Sequence, residues 1–224
     1  MTPPPSLRVF VTGMSGTGKT RLARDVWLRR AARLLVVDQT GEWDAVRGVR
    51  TAHGLGAVAD ALARVAYAPR WCVAAQLDAE DMPALAALLL PAGRPRDGYA
   101  AAVGGLVLAL DECDLVAGPA VGREVRGLWQ RGRHAGISIV AASQRPAAVN
   151  RIVTSQSRYL ATTALVEPLD LRWLREAFPP EPAAVVPTLG VGEAVILDAW
   201  TRAATLLTPA RTVARTWPGR ANPR

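Results

Sequence analysis

"GMSGTGKT", residues 13–20, decides the fold. It fits G-x-x-x-x-G-K-[ST] at every fixed position, the glycine-rich loop whose backbone N–H groups cradle phosphates at the start of a helix. The pattern carries that meaning only between a strand and a helix. Residues 7–12 read as a buried strand and 19–31 as a helix, so both flanks fit. In such a loop Gly13, Ser15, Gly16, Thr17 and Gly18 approach the phosphates, Lys19 reaches the β- and γ-phosphates, and Thr20 ligates Mg²⁺. Lys19 stands out for a second reason: it is the one lysine among 27 lysines and arginines. A compact ammonium and a broad planar guanidinium are not equivalent in a tight pocket.

Outward from the loop, apolar runs of strand length alternate with stretches of helical period. Strands are expected at 33–38, 71–77, 105–112, 137–142 and 158–163. Helices are expected at 55–66, 81–90, 119–133, near 147–153 and at 168–178. Asp81 is expected to cap the helix that it opens, with Pro83 in the first turn. Residues 192–210 read as a terminal hairpin. Strands alternating with helices predict an α/β fold with a mostly parallel central sheet.

"GLVLALDECD" (105–114) brings carboxylates to a strand end. An aspartate there, Asp111, holds Mg²⁺ through water in nucleotide hydrolases. The adjacent Glu112 can orient or deprotonate an attacking water. An aspartate alone would suit a kinase or a GTPase; the pair favours an ATPase that hydrolyses with its own glutamate. Asp114 is read as a cap. In "RGRHAGISIVAASQRP" (131–146) a buried strand ends on Ser143, Gln144 and Arg145. In an open parallel sheet such strand ends lie where ligands bind. If this strand is inserted between the phosphate-loop strand and the Asp-Glu strand, its end lies beside the γ-phosphate. Gln144 suits that place, because an amide can donate to phosphate and accept from water at once. Ser143 is a second candidate.

Composition sets bounds. The chain has 224 residues, half of them hydrophobic, enough for one domain with a full core. The formal charge of +8 points to a polyanionic partner. No apolar run approaches the ~18 residues of a membrane helix, and the start does not read as a signal peptide. Cys72 and Cys113 have no metal-ligand spacing, so a reduced, cytoplasmic setting is expected.

At this point the sequence resembles a known group. "GRHAGISIVAASQRP" followed by "VNRIVTSQSRYLATTALVEPLDLRWL" is similar to the HerA/FtsK superfamily of DNA-pumping ATPases. "VVDQTGEW" (36–43) resembles the D-x-x-G-E-aromatic segment of HerA-type members. Trp43 in it is expected in the core rather than on the nucleotide. With the two Walker motifs, the resemblance spans about residues 7–178. It implies a RecA-like P-loop ATPase that uses ATP and Mg²⁺ and translocates double-stranded DNA. The expected layout is one such domain over 1–224, with a core of 6–211 and flexible ends at 1–5 and 212–224. The barrel of HerA and the membrane helices and DNA-reading domain of FtsK have no counterpart here. The size therefore suggests the genome-packaging ATPases of viruses and phages, in the host cytoplasm or at the packaging vertex.

The resemblance further implies a homo-oligomeric ring, with a hexamer favoured. The active site would lie between subunits, where a neighbour's arginine offsets charge developing on the γ-phosphate. Arg131 and Arg133 are the candidates, with Arg126 behind them. "AGRPRDGYA" (92–100), with Arg94 and Arg96, is a candidate DNA-gripping pore loop, and the basic tail a candidate contact to DNA or a capsid vertex protein. The alternatives are a cellular or plasmid HerA-like translocase and, from another class, a small-molecule P-loop kinase.

Overall fold

The computed structural model describes residues 6–41, 43, 48–91 and 97–219. Strand β1 (Arg8–Thr12) is buried throughout, as a strand covered on both faces must be. The glycine-rich turn leads into α1 (Lys19–Ala23), which continues as a π-helical turn, Arg24–Leu28, rather than running to residue 31. The π turn closes with Arg29 N donating to Arg24 O at 2.9 Å. Then follow β2 (Arg33–Val37), β3 (Arg50–His53), α2 (Gly54–Val65), β4 (Trp71–Gln76), α3 (Met82–Leu89) and α4 (Tyr99–Ala102). The second half holds β5 (Leu106–Leu110), α5 (Arg123–Arg131), β6 (Ile137–Ser143), α6 (Arg151–Ser155), β7 (Tyr159–Thr162), α7 (Pro168–Ala177) and α8 (Pro180–Val185). It ends with β8 (Ala194–Asp198), β9 (Ala204–Leu207) and β10 (Val213–Trp217).

All ten strands form one sheet in the order β10-β9-β8-β7-β1-β6-β5-β2-β4-β3. From β7 to β3 the neighbours are parallel; β8, β9 and β10 add an antiparallel meander at one edge. β6 lies between β1 and β5, the insertion that places the end of "SQRP" between the two Walker motifs. Side chains alternate between two apolar layers, as the two-residue period of a strand requires. Phe10, Leu35, Leu108 and Ile139 join the layer holding α2, α3 and α5. Val9, Val36, Ala109 and Val140 join the layer holding α1, where Trp43 is buried, as expected.

Several expectations are corrected. Residues 213–217 are not a flexible tail: β10 pairs with β9, and Arg215 lies over the Trp217 ring at 4.8 Å. Asp81 makes no capping hydrogen bond; its backbone is already helical after a short 3-10 turn, Ala79–Asp81. Tyr99 is not a pore residue, since its hydroxyl donates to Leu62 O and its ring packs edge-on against Trp71. Asp114 caps no helix among the described residues and instead accepts from Ser143 Oγ at 2.6 Å. Strands β3 and β10 and helix α8 were not expected. The segment around Arg94 and Arg96, and residues 1–5, lie outside the described residues.

Candidate phosphate-binding site

The parallel register brings the motifs together at the carboxyl ends of the strands. Thr12 of β1 pairs with Ser143 of β6, and Leu110 of β5 pairs with Ala141 of β6. The phosphate loop, Asp111–Glu112 and Gln144 therefore leave three adjacent strands at the same height. This is the rim on which ligands of open parallel sheets sit.

The loop has the backbone that its glycines require. Gly13, Gly16 and Gly18 have φ of 143°, 74° and 96°, a region that side-chain-bearing residues avoid. At Gly13 space also forbids a side chain, because a Cβ would lie 1.8 Å from Thr163 Oγ1. Met14, Ser15 and Gly16 are exposed at the crown, while Thr17 and Lys19 are buried. Lys19 Nζ donates to Met14 O at 3.2 Å, across the mouth of the loop. Thr17 turns its side chain away from the crown: its hydroxyl bonds Met14 O and Thr163 Oγ1, each at 2.6 Å. What Thr17 offers a phosphate is its backbone. The loop is held from the far side by Gly192 N, which donates to Thr17 O at 3.1 Å.

Thr20 and Asp111 line one small cavity of about 20 Å³ between α1 and the sheet. They are the two polar residues of a lining that is otherwise apolar, with Ala23, Leu28, Val36 and Trp43 among it. Beyond Asp111 the chain bends sharply. Asp111 N donates to Val37 O, Cys113 N donates to Ala142 O, and between these clamps Glu112 takes a φ of 49°. Such a backbone is uncommon for a non-glycine residue. Glu112 Oε1 accepts from Gln144 Nε2 at 2.5 Å. Ser143 gives its hydroxyl hydrogen to Asp114, which takes it out of competition with Gln144.

The segment "DQTGEW" is shaped by Asp38. Its buried carboxylate accepts from the backbone N–H groups of Thr40, Gly41 and Trp43 at 3.3, 3.0 and 2.9 Å. That ties down the turn after β2, next to β5 in the sheet.

Arg131 and Arg133 lie elsewhere. They end α5 and enter the turn before β6, at the opposite end of the sheet from Gln144. β6 has seven residues, so ~20 Å of strand separates them from their own phosphate loop. Arg126, on α5, is exposed. Sequence reasoning missed Thr163, whose hydroxyl sits in the phosphate loop without belonging to any motif.

No family model and no curated protein matches the chain. Solved structures do. The genome-packaging NTPase B204 of Sulfolobus turreted icosahedral virus 2, in complex with ATP-gammaS, matches with a TM-score of 0.72 and 18% identity, covering 92% of this chain and 98% of that one. B204 of Sulfolobus turreted icosahedral virus, described as a DNA-packaging ATPase, matches with a TM-score of 0.69 and 19% identity over 93% and 99%. VirB4 of Thermoanaerobacter pseudethanolicus matches with a TM-score of 0.56 and 12% identity over 96% and 90%. The chain thus shares the fold of these solved structures, over nearly the whole length of B204.

Proposed function

We propose that the protein is an ATP-hydrolysing motor that translocates double-stranded DNA, and that its task is to package a viral genome. The observation that carries the hydrolytic part is the Gln144–Glu112 hydrogen bond beside the phosphate loop. It joins a water-activating carboxylate to an amide that can exchange that partner for a γ-phosphate oxygen. A kinase would need neither group there.

In this reading the backbone N–H groups of residues 15–20 and the Lys19 ammonium hold the triphosphate. Thr20 and Asp111 are the residues that would hold Mg²⁺, Asp111 through water; the ion would offset charge on the β- and γ-oxygens. Gln144 donates to the γ-phosphate and releases Glu112. Glu112 then orients the attacking water and takes up its proton.

Charge and exposure support a head-to-tail ring. The carboxyl rim carries Asp111, Glu112 and Asp114, and around it Met14, Leu115, Val166, Leu169 and Val191 are exposed. Exposed apolar residues stand at the opposite end as well, Tyr67 before β4 and Trp200 after β8, so both faces that a head-to-tail contact would cover carry them. The opposite end carries arginines: Arg33 and Arg50 open their strands, and Arg70, Arg133 and Arg158 precede theirs. Arg131 and Arg133 are too far from their own loop to act on it, so the phosphate proposed for them is a neighbour's; the other role open to them is a solvated helix end. Hexamer is the favoured stoichiometry, and capsid vertex proteins are the proposed further partners. Among the described residues no helix is long and apolar enough to cross a membrane. The proposed setting is the host cytoplasm or the packaging vertex.

The net charge of +8 and the packaging activity named for the structural neighbours support duplex DNA as substrate. Arg94 and Arg96 remain the proposed grip. The test is ATP turnover with and without duplex DNA of arbitrary sequence. Stimulation independent of sequence is expected. Turnover that rises with a small phosphate acceptor and ignores DNA would favour the kinase.

A further inference from the structure

Thr163 is the first residue beyond β7, fully buried, and its surroundings all lead to the phosphate loop. Its N–H donates to Thr12 O at 2.9 Å, and the next residue, Ala164, accepts from Met14 N at 2.9 Å. Its hydroxyl lies 2.6 Å from Thr17 Oγ1. Thr17 Oγ1 also donates to Met14 O, and Thr163 Oγ1 has Thr12 O as a second acceptor at 3.4 Å, so either threonine can supply the hydrogen between them. The absent side chain of Gly13 makes room for this approach. Met14 O also receives Lys19 Nζ. A single chain of hydrogen bonds thus runs from Thr163 through Thr17 and Met14 O to the lysine.

We propose that Thr163 is a positioning residue for the phosphate loop: its hydroxyl orients Thr17, and Thr17 sets the curvature of residues 14–17 that aims the backbone N–H groups and Lys19 at phosphate. This deepens the nucleotide reading given above and rests on it. The loop is pinned at Thr17 from two sides, by Thr163 on the side chain and by Gly192 on the carbonyl. The loop's fourth variable position therefore acts through a partner 146 residues away in sequence, which no motif encodes.

A neighbouring hydroxyl provides the contrast. Thr12 is also fully buried, ends the adjacent strand and pairs in register with Thr162. Its Oγ1 has no hydrogen-bond partner among the described residues. If threonine at this rim were only filling space, replacing either hydroxyl by a methyl would have the same effect.

The experiment is titration of wild type, Thr163→Val, Thr163→Ser, Thr163→Cys and Thr12→Val with Mg²⁺ and ATPγS by calorimetry, with KM and kcat for ATP alongside. Thr163→Val should weaken binding about 3- to 10-fold, the range of one lost hydrogen bond. KM should rise by a similar factor, with kcat within about twofold. Thr163→Ser should restore binding to within about twofold of wild type, and Thr12→Val should bind as wild type does. Should Thr163→Val fold poorly, Thr163→Cys serves, because a thiol is a weak donor of similar size. In a double-mutant cycle, Thr163→Val should add little to Thr17→Val. Wild-type affinity in Thr163→Val, or equal losses in Thr163→Ser and Thr163→Val, would overturn the positioning role alone. A wild-type protein that binds no ATPγS would overturn the nucleotide reading with it.

Discussion

Gln144 Nε2 donates to Glu112 Oε1 at 2.5 Å, so the amide at the end of β6 holds the carboxylate that follows β5. The contact exists because β6 is inserted between β1 and β5 and because Glu112 accepts a left-handed backbone. Strain of this kind persists where surrounding bonds over-determine it, here Asp111 N to Val37 O and Cys113 N to Ala142 O.

The pair gives the first prediction. Glu112→Gln should bind Mg²⁺ and ATPγS normally and lose about 10²–10⁴-fold in kcat, the usual weight of a general base. Gln144→Leu should also keep affinity and lose about 10²–10³-fold, as removal of a donor to developing charge does. Single-turnover rates measure both. A Glu112→Gln enzyme with near-normal kcat would take the carboxylate out of the chemistry.

Lys19→Arg conserves charge but not shape. Lys19 is buried and reaches across to Met14 O, a gap that suits an ammonium. The guanidinium is too broad for that place. Steady-state turnover should fall more than tenfold, and activity within about threefold of wild type would show that the sole lysine has no special part.

Arg131 and Arg133 can be separated from roles within one subunit by mixing. A finger supplied in trans is worth about 10³–10⁵ in rate in related phosphoryl-transfer enzymes. Doping Arg131→Ala or Arg133→Ala subunits into wild type should lower turnover more steeply than dilution. A strictly linear loss for both would exclude action across an interface.

The cysteines should be silent. Burial raises the Cys72 thiol to about 11, and burial together with the carboxylates of Asp114, Glu112 and Asp111 holds that of Cys113 well above the usual thiol range. A raised pKa keeps both as thiols at pH 8, and thiolate is the reactive form. Iodoacetamide should leave the native protein unlabelled at pH 8 and modify both residues after unfolding. Because the folded-state values are raised, stability is unaffected below the unfolded pKa of about 8.5 and declines as pH rises above it. Rapid labelling of native Cys113 would contradict its place beneath Asp111–Glu112.

The motifs and the parallel strands were legible because each rests on local pattern. "GMSGTGKT" needs its glycines for the backbone, and runs such as "RLLVV" are apolar because both faces of the sheet are covered. β3, "RTAH", was not legible: an edge strand needs no apolar run, and only Ala52 in it is buried. β10 was hidden for the same reason, four of its five residues being exposed. Tyr99 looked like part of a surface loop because nothing local announces its bond to Leu62 O. Thr163 was invisible because its partner, Thr17, follows the neighbouring strand 146 residues earlier in the chain and the motif leaves that position free.

The most direct test of the motor is displacement of a third strand from a DNA triplex built on a long duplex. With ATP and Mg²⁺ the wild-type protein should strip the third strand from duplexes of unrelated sequence, at rates that fall with added salt as phosphate contacts weaken. ATPγS should not support displacement, and neither should Glu112→Gln with ATP. Hydrolysis of ATP at full rate on saturating duplex with the third strand left in place would contradict the claim that this ATPase moves DNA.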